Sequence, residues 1–264
     1  MTRPRSYQTE VVIIRKTRLR EADHILTLYT PDLGKTQGVA RGVRRPRSKL
    51  AGHLELLTHS QVSLARGRHL DTITGSQTIN AFLPLKSDLV LGSCGLYVTE
   101  LINQFTPEHV PDPPLFRLLV DTLGNLCQDA DRELTLRYFE VNLLHHLGYR
   151  PQLQTCVACH RPLPPGTNYF SPSAGGVVCA ECCPTQPLAY PLSVNALKVL
   201  RLLQSSGYAT INRLRIDDSQ LMRELETTMR HYLRHLLERD LKSADWLDAL
   251  REQLRPTTAT ESEC

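Results

Sequence analysis

Over the first eighty positions apolar residues fall in short runs separated by turn signals, and beyond them they recur at three- and four-residue spacing. Residues 7–15 (YQTEVVIIR) are rich in β-branched side chains, 24–30 (HILTLYT) are apolar and β-prone, and Pro31-Asp32-Leu33-Gly34 makes a turn before 35–40. Residues 54–65 and 70–80 flank a tight Arg66-Gly67-Arg68 turn, which brings the count to five strands in the length of a small barrel. Five strands suit an OB-fold, a partly open Greek-key barrel, although an SH3-like barrel or a small open sheet would share the pattern. From Phe82 onward the spacing predicts helices over 85–105, 114–127 and 132–147, and again over 192–203 and 218–250. In the last of these Leu221, Leu225, Met229, Leu233 and Leu237 form a core-facing stripe. Pro256 stops the helices, and residues 251–264 are expected to be a disordered tail. The expectation is an α+β multidomain chain, with a barrel over 1–81, an all-helical domain over 82–250, and an insert over 152–190 that interrupts it.

Length and charge sharpen that division. A chain of 264 residues with 41% apolar content is long enough for about two domains with real cores. Its net charge of +4 is unevenly placed: residues 1–80 carry 14 Lys and Arg against 6 Asp and Glu, and the remainder carries 17 against 21. No stretch is long and apolar enough to cross a membrane. The longest apolar run near the start is four residues, too short for a signal peptide, so a reducing, cytoplasmic setting is expected.

The most specific chemistry lies in the insert. Cys156-Val157-Ala158-Cys159 and Cys179-Ala180-Glu181-Cys182 are two CxxC pairs separated by nineteen residues, a spacing that reads as one tetrahedral zinc site. A disulfide pair or a redox CxxC would use the same unit. Structural disulfides are rare in a reducing compartment, and a redox site has no need of a second pair. Four sulfur ligands leave no open position, so the expected Zn2+ is structural and staples a loop-rich insert that could not build its own core. Cys183 and His160 adjoin ligands and are read as bystanders; Cys94 and Cys127 are read as core thiols.

A second stretch, 35–49 (KTQGVARGVRRPRSK), holds six basic residues, and no acid occurs between Asp32 and Glu55. Such runs are commonly solvated loops. This one is interleaved with Gly38, Gly42 and Pro46 and is dominated by Arg, the side chain best shaped for phosphate, so a phosphate backbone is the expected partner. The candidate contacts are Lys35, Arg41, Arg44, Arg45, Arg47 and Lys49, with Arg15, Lys16, Arg18 and Arg20 as a second group. Only Tyr7 and Tyr29 are aromatic in the first eighty residues, too few for a stacking platform. Binding should therefore be electrostatic, sequence-tolerant and salt-dependent. Familiar catalytic motifs are missing: there is no GxxxxGK loop, GxSxG elbow or HExxH. His231 and His235 lie one turn apart, but Tyr232 stands where a metalloprotease needs its Glu.

Three blocks together resemble the RecO recombination mediators of bacteria. The first runs from Glu21-Ala22-Asp23 through Thr30-Pro31-Asp32-Leu33-Gly34-Lys35 to Val39-Ala40-Arg41-Gly42-Val43-Arg44 and Ser48. The second is Arg137-Tyr138-Phe139-Glu140 with Leu147-Gly148-Tyr149-Arg150-Pro151 leading into Cys156, and the third is Tyr232-Leu233 with Leu241-Lys242-Ser243. Some members lack the cysteines, so the quartet places this chain in the zinc-bearing subset. The resemblance implies a non-enzymatic DNA repair protein of the RecF pathway with an N-terminal OB-fold, a helical domain and a zinc finger. It implies binding to single- and double-stranded DNA, annealing of complementary strands, and work with RecR to load RecA onto DNA coated by single-strand-binding protein, in the cytoplasm at the nucleoid. The acidic tail of single-strand-binding protein is expected on the helical domain, with Arg137 as a candidate for its carboxylates. The competing reading of Arg137 is an ion pair with Glu133 or Glu140. A zinc-ribbon transcription or translation factor would share the barrel, the basic patch and the metal, but not the long helical series.

Overall fold

The computed structural model describes residues 5–45, 48, 50–128 and 131–253. Arg47, Lys49 and the tail beyond residue 253 lie outside the described residues. Five strands, β1 (Ser6–Arg18), β2 (His24–Thr30), β3 (Gly34–Ala40), β4 (His59–Ala65) and β5 (Asp71–Asn80), close into a barrel in the order β1-β2-β3-β5-β4. All ladders are antiparallel except β3 with β5, whose short parallel pairing of Gly38 with Asp71 and Val39 with Thr72 completes the ring. This five-stranded Greek-key closure fits the OB-fold expected from the sequence. The fourth strand begins later than the apolar pattern suggests: residues 51–53 form a 3-10 turn, Leu54 packs into the barrel interior, and Leu57 joins the core of the helical domain.

The run Val11-Val12-Ile13-Ile14 is buried throughout, and the two faces of β1 account for it. Val11 and Ile13 point into the barrel with Leu26, Leu28, Val62 and Leu64, whereas Val12 and Ile14 join Tyr29 in the core of the helical domain. A strand covered on both faces reads as a continuous apolar run, and the burial of its outward face joins the barrel to the helices.

Helices α1 (Pro84–Ser87), α2 (Leu89–Phe105), α3 (Pro113–Leu126) and α4 (Arg132–His146) follow. One helix was expected over 85–105; it breaks at Asp88, whose extended backbone lets its carboxylate cap α2 by accepting the Leu91 N–H at 2.8 Å. Asp112 and Asp131 cap α3 and α4 in the same way. The insert contributes a three-stranded sheet, ordered β7-β6-β8, from β6 (Asn168–Ser171), β7 (Gly176–Val178) and β8 (Tyr190–Leu192). Helices α5 (Val194–Ser205), α6 (Tyr208–Ile211), α7 (Ser219–Leu237) and α8 (Lys242–Gln253) complete the described chain. The long final helix expected over 218–250 is two helices, because Glu238 takes a left-handed conformation (φ 54°) and α8 folds back against α2. Leu225, Met229 and Leu233 of the α7 stripe are buried as expected, with Leu221 and Leu237 at its margins. Residues 251–253, expected in the tail, continue α8 instead, and Arg251 reaches Glu226 at 2.7 Å.

Candidate nucleic-acid interface and metal centre

The turn after β3 carries the basic stretch, and its shape follows from Asp23. The Asp23 carboxylate accepts the Gly42 N–H at 2.7 Å, Gly42 turns through a left-handed conformation (φ 62°), and the Arg44 N–H donates to the Ala22 carbonyl at 3.2 Å. Arg41, Arg44 and Arg45 are exposed as a result. The Arg44 guanidinium donates to the Glu21 carbonyl at 2.9 Å, which orients it without neutralising it. Arg44 and Arg45 meet Arg18, from the far end of β1, around a shallow hollow beside Glu21 and Ala22. Arg20 lies exposed in the adjoining β1–β2 turn and Arg15 farther back along β1.

Two expected contacts stand apart from this cluster. Lys35 faces the helical domain: its ammonium donates to the Asn103 carbonyl at 2.6 Å, and burial lowers its pKa despite nearby Glu108. The β3 start pairs with the segment at Glu108, and this strand-edge contact draws the side chain inward. Lys16 is held by Glu55 at 3.1 Å. Neither barrel tyrosine offers a free face, since Tyr29 is buried and Tyr7 donates to Asp71 at 2.7 Å beneath the Arg66 guanidinium.

Arg137 requires a correction. It is not on the surface of α4: only 4% exposed, it donates to the Glu140 carboxylate at 2.6 Å, and the same oxygen accepts the Tyr97 hydroxyl at 2.6 Å. Burial works against the guanidinium charge, but Glu140, Tyr97 and Glu226 outweigh it and raise its pKa. A peptide carboxylate cannot reach it without opening the core. The ion pair with Glu140 is the reading of Arg137 that matches this geometry, in the core rather than at a surface.

In the insert the four sulfurs of Cys156, Cys159, Cys179 and Cys182 lie within 4.8 Å of one another. A zinc tetrathiolate with bonds of about 2.3 Å has tetrahedral edges of roughly 3.8 Å, and Cys159 Sγ lies 3.9 Å from Cys179 Sγ. Each CxxC forms a tight knuckle: the His160 N–H donates to the Cys156 carbonyl at 2.9 Å and the Cys183 N–H to the Cys179 carbonyl at 3.0 Å. The Cys179 N–H points at Cys156 Sγ (3.4 Å), and the Arg161 guanidinium at Cys159 Sγ (3.4 Å). The Arg161 contact pulls the Cys159 thiol down to about 6, while hydrogen bonding to Cys179 and burial push Cys182 up to about 12. Thiols this crowded cannot all ionise unaided, and the four together could hold a cation that would compensate their charge. His231 packs against the Tyr190 ring with centroids 5.2 Å apart, and neither it nor His235 belongs to a ligand cluster among the described residues.

The family models match the two halves in register with this architecture. The model described as recombination protein O N terminal covers residues 1–82, and that described as recombination protein O C terminal covers 86–245. The chain belongs to the RecO family. A relative named DNA repair protein RecO from Dehalococcoides mccartyi is 48% identical over 251 residues, covering 95% of this chain and 98% of the relative. Proteins of the same name from Roseiflexus sp. and Symbiobacterium thermophilum are 43% and 34% identical, over 97% and 93% of this chain and 90% and 98% of those relatives. No described helix is long and apolar enough to cross a membrane. The arginine hollow, the buried α4 ion pair and the cysteine cluster are thus features of a RecO family member. Arg18 was legible only as one of a second group of cations. Its place beside Arg44 depends on β1 running past the β3 turn, which no local pattern records.

Proposed function

We propose that this RecO family member is a non-enzymatic recombination mediator that binds single- and double-stranded DNA through its barrel and anneals complementary strands. The observation that carries the reading is the convergence of exposed Arg18, Arg44 and Arg45 on one end of the barrel, flanked by Arg41, with no carboxylate paired to any of them among the described residues. An annealer must bring two polyanions together. Arginines that hold phosphates lower the repulsion, and the absence of barrel stacking platforms leaves base edges free to pair. Arg47 and Lys49 extend the basic stretch in sequence. Binding of RecR and of the tail of single-strand-binding protein, recombinase loading in the RecF pathway and a cytoplasmic, nucleoid-associated location belong to the same proposal. Cys156, Cys159, Cys179 and Cys182 hold one structural Zn2+ in this reading; the ion would compensate four thiolates and fix the tip of the insert.

The test is annealing of complementary oligonucleotides, free and coated with single-strand-binding protein, with and without the chain. Acceleration in both is expected, with a log-log salt slope for single-strand binding near −3 if four arginines each displace one counterion. The double reversal Arg44→Glu with Arg45→Glu should weaken binding to all sequences and flatten that slope by one or two units, roughly 0.7 per contact. A folded chain that leaves the annealing rate unchanged would sink the proposal.

A further inference from the structure

The barrel has no exposed aromatic to stack a base, yet one stands nearby on the helical domain. Trp246 is the single tryptophan of the chain. It is 54% exposed, and its indole N–H donates to the Ser93 hydroxyl of α2 at 3.1 Å. Its polar edge is thereby satisfied inside the protein, and the ring is held with much of its surface turned to solvent. Leu96, itself 38% exposed, flanks it in a groove of about 730 Å³ between β1, α2 and α8.

The charges of this groove are not balanced. Glu100 is occupied by the start of α8, where it accepts the Ser243 N–H at 2.8 Å and the Lys242 N–H at 3.3 Å. Asp240 is taken by Arg234 at 2.5 Å. Arg239 is oriented by the neutral Gln104 side chain, and among the described residues no carboxylate pairs with Arg15 or Lys242. Three cations therefore remain around an exposed aromatic ring, which matches a strand with a charged backbone and planar bases. One strand carries cations to both places: Arg15 lines this groove, and Arg18, three residues on along β1 and on its other face, lines the arginine hollow. Three strand residues span about 10 Å, the rise of about three stacked nucleotides.

We propose that the single-strand track leaves the barrel at Arg18 and continues into this groove, where Trp246 stacks on a base and Arg15, Arg239 and Lys242 meet the flanking phosphates. This rests on the reading of the barrel as a DNA-binding surface. Stacking is sequence-tolerant, so the groove adds strand preference and an anchor without adding sequence specificity. A duplex, whose bases are already stacked on one another, gains nothing from the ring.

The test uses the full chain and a dye-labelled oligodeoxythymidylate, read by anisotropy and by the fluorescence of Trp246. Binding should quench Trp246 in step with the anisotropy rise. Trp246→Ala should weaken single-strand binding about tenfold, within the range for loss of one stacked base, and leave duplex affinity nearly unchanged. Trp246→Phe, which keeps an aromatic ring in the groove, should retain most of the affinity and control for misfolding, together with the melting temperature of each variant. Arg239→Gln with Lys242→Gln should flatten the salt slope by about one unit. If anisotropy saturates with no quenching, or the alanine variant is folded and binds as tightly as the parent, the groove proposal fails and the barrel reading stands. If neither signal responds, the DNA reading itself fails and takes the groove with it. Quenching by an acidic peptide with an aromatic end, in the absence of quenching by the oligonucleotide, gives the groove to a protein partner and likewise overturns the proposal.

Discussion

Arg137 and Glu140 lie one turn apart on α4, both nearly inaccessible, and share their charge with Tyr97 and, at 3.9 Å, with Glu226. Among the described residues Arg137 Nε and Glu140 Oε2 find no hydrogen-bond partner, so the pair is incompletely satisfied there. Its weakness appears when one member is removed. Arg137→Ala should cost about 3–5 kcal/mol of unfolding free energy, because Glu140 is left as an uncompensated buried charge; urea denaturation measures it. Arg137→Met with Glu140→Gln should recover most of that loss, since neutral groups of similar volume replace the pair and the amide still accepts from Tyr97. If the single and double variants are equally unstable, packing and not charge explains the loss. The same residue marks a limit of sequence reading. An Arg three positions before a Glu has the same spacing on a helix surface and in a core, and the helix face on which it lies is set by Leu136, Phe139 and Leu143 packing elsewhere. Lys35 is a parallel case: it opens the same basic stretch as the exposed Arg41, Arg44 and Arg45, but the β3 edge turns it toward Asn103.

Strand β1 and the hairpin of β2 and β3 carry the join between the two halves. The five strands and most of the helices were legible because their periods are clean, and β1 was legible as a strand from its β-branched residues. The breaks at Asp88 and Glu238 were not: each interrupts an apolar pattern that continues in phase across it, and the cap and the left-handed residue that make the break act over one or two positions. The strands of the insert, three or four residues each, are too short to display a period. Gly34 shows how closely the halves approach. It adopts φ 65°, and a β-carbon there would lie 2.1 Å from the Val110 carbonyl oxygen in the loop before α3. Gly34→Ala must therefore displace the loop as well as bear a left-handed backbone, a strain of about 1–3 kcal/mol before the clash is counted. The expected result is a lower melting temperature together with faster hydrogen exchange around residues 108–110. Unchanged exchange there would mean that the hairpin and the loop are not coupled.

At the scale of the whole molecule, three clusters divide the work: the barrel interior, a helical core that also takes in Val12, Ile14 and Tyr29, and a small group around Cys156, Val178 and Cys179. Metal removal should therefore act locally. Treatment with a strong chelator, or Cys179→Ser, is expected to lower metal content and melting temperature while the DNA affinity of the still-folded protein stays within about twofold, because the cysteine cluster shares no residue with the arginine hollow. Mass spectrometry of the intact protein and anisotropy check the two parts, and an immediate loss of affinity would join the insert to the binding surface. The cysteine spacing made this site readable from sequence alone, since two-residue spacers leave few other geometries. The insert's attachment was hidden, because Leu153, Phe170, Val177 and Leu192 sit in the helical core and not in the cysteine cluster. That division makes the insert modular. Its root is built of ordinary side chains and only its tip depends on thiols, so the tip can be exchanged for a metal-free hairpin between Leu153 and Phe170 and again after Val178, while the root goes on closing the helical core. A lineage can lose all four cysteines by this route without dismantling the rest of the fold.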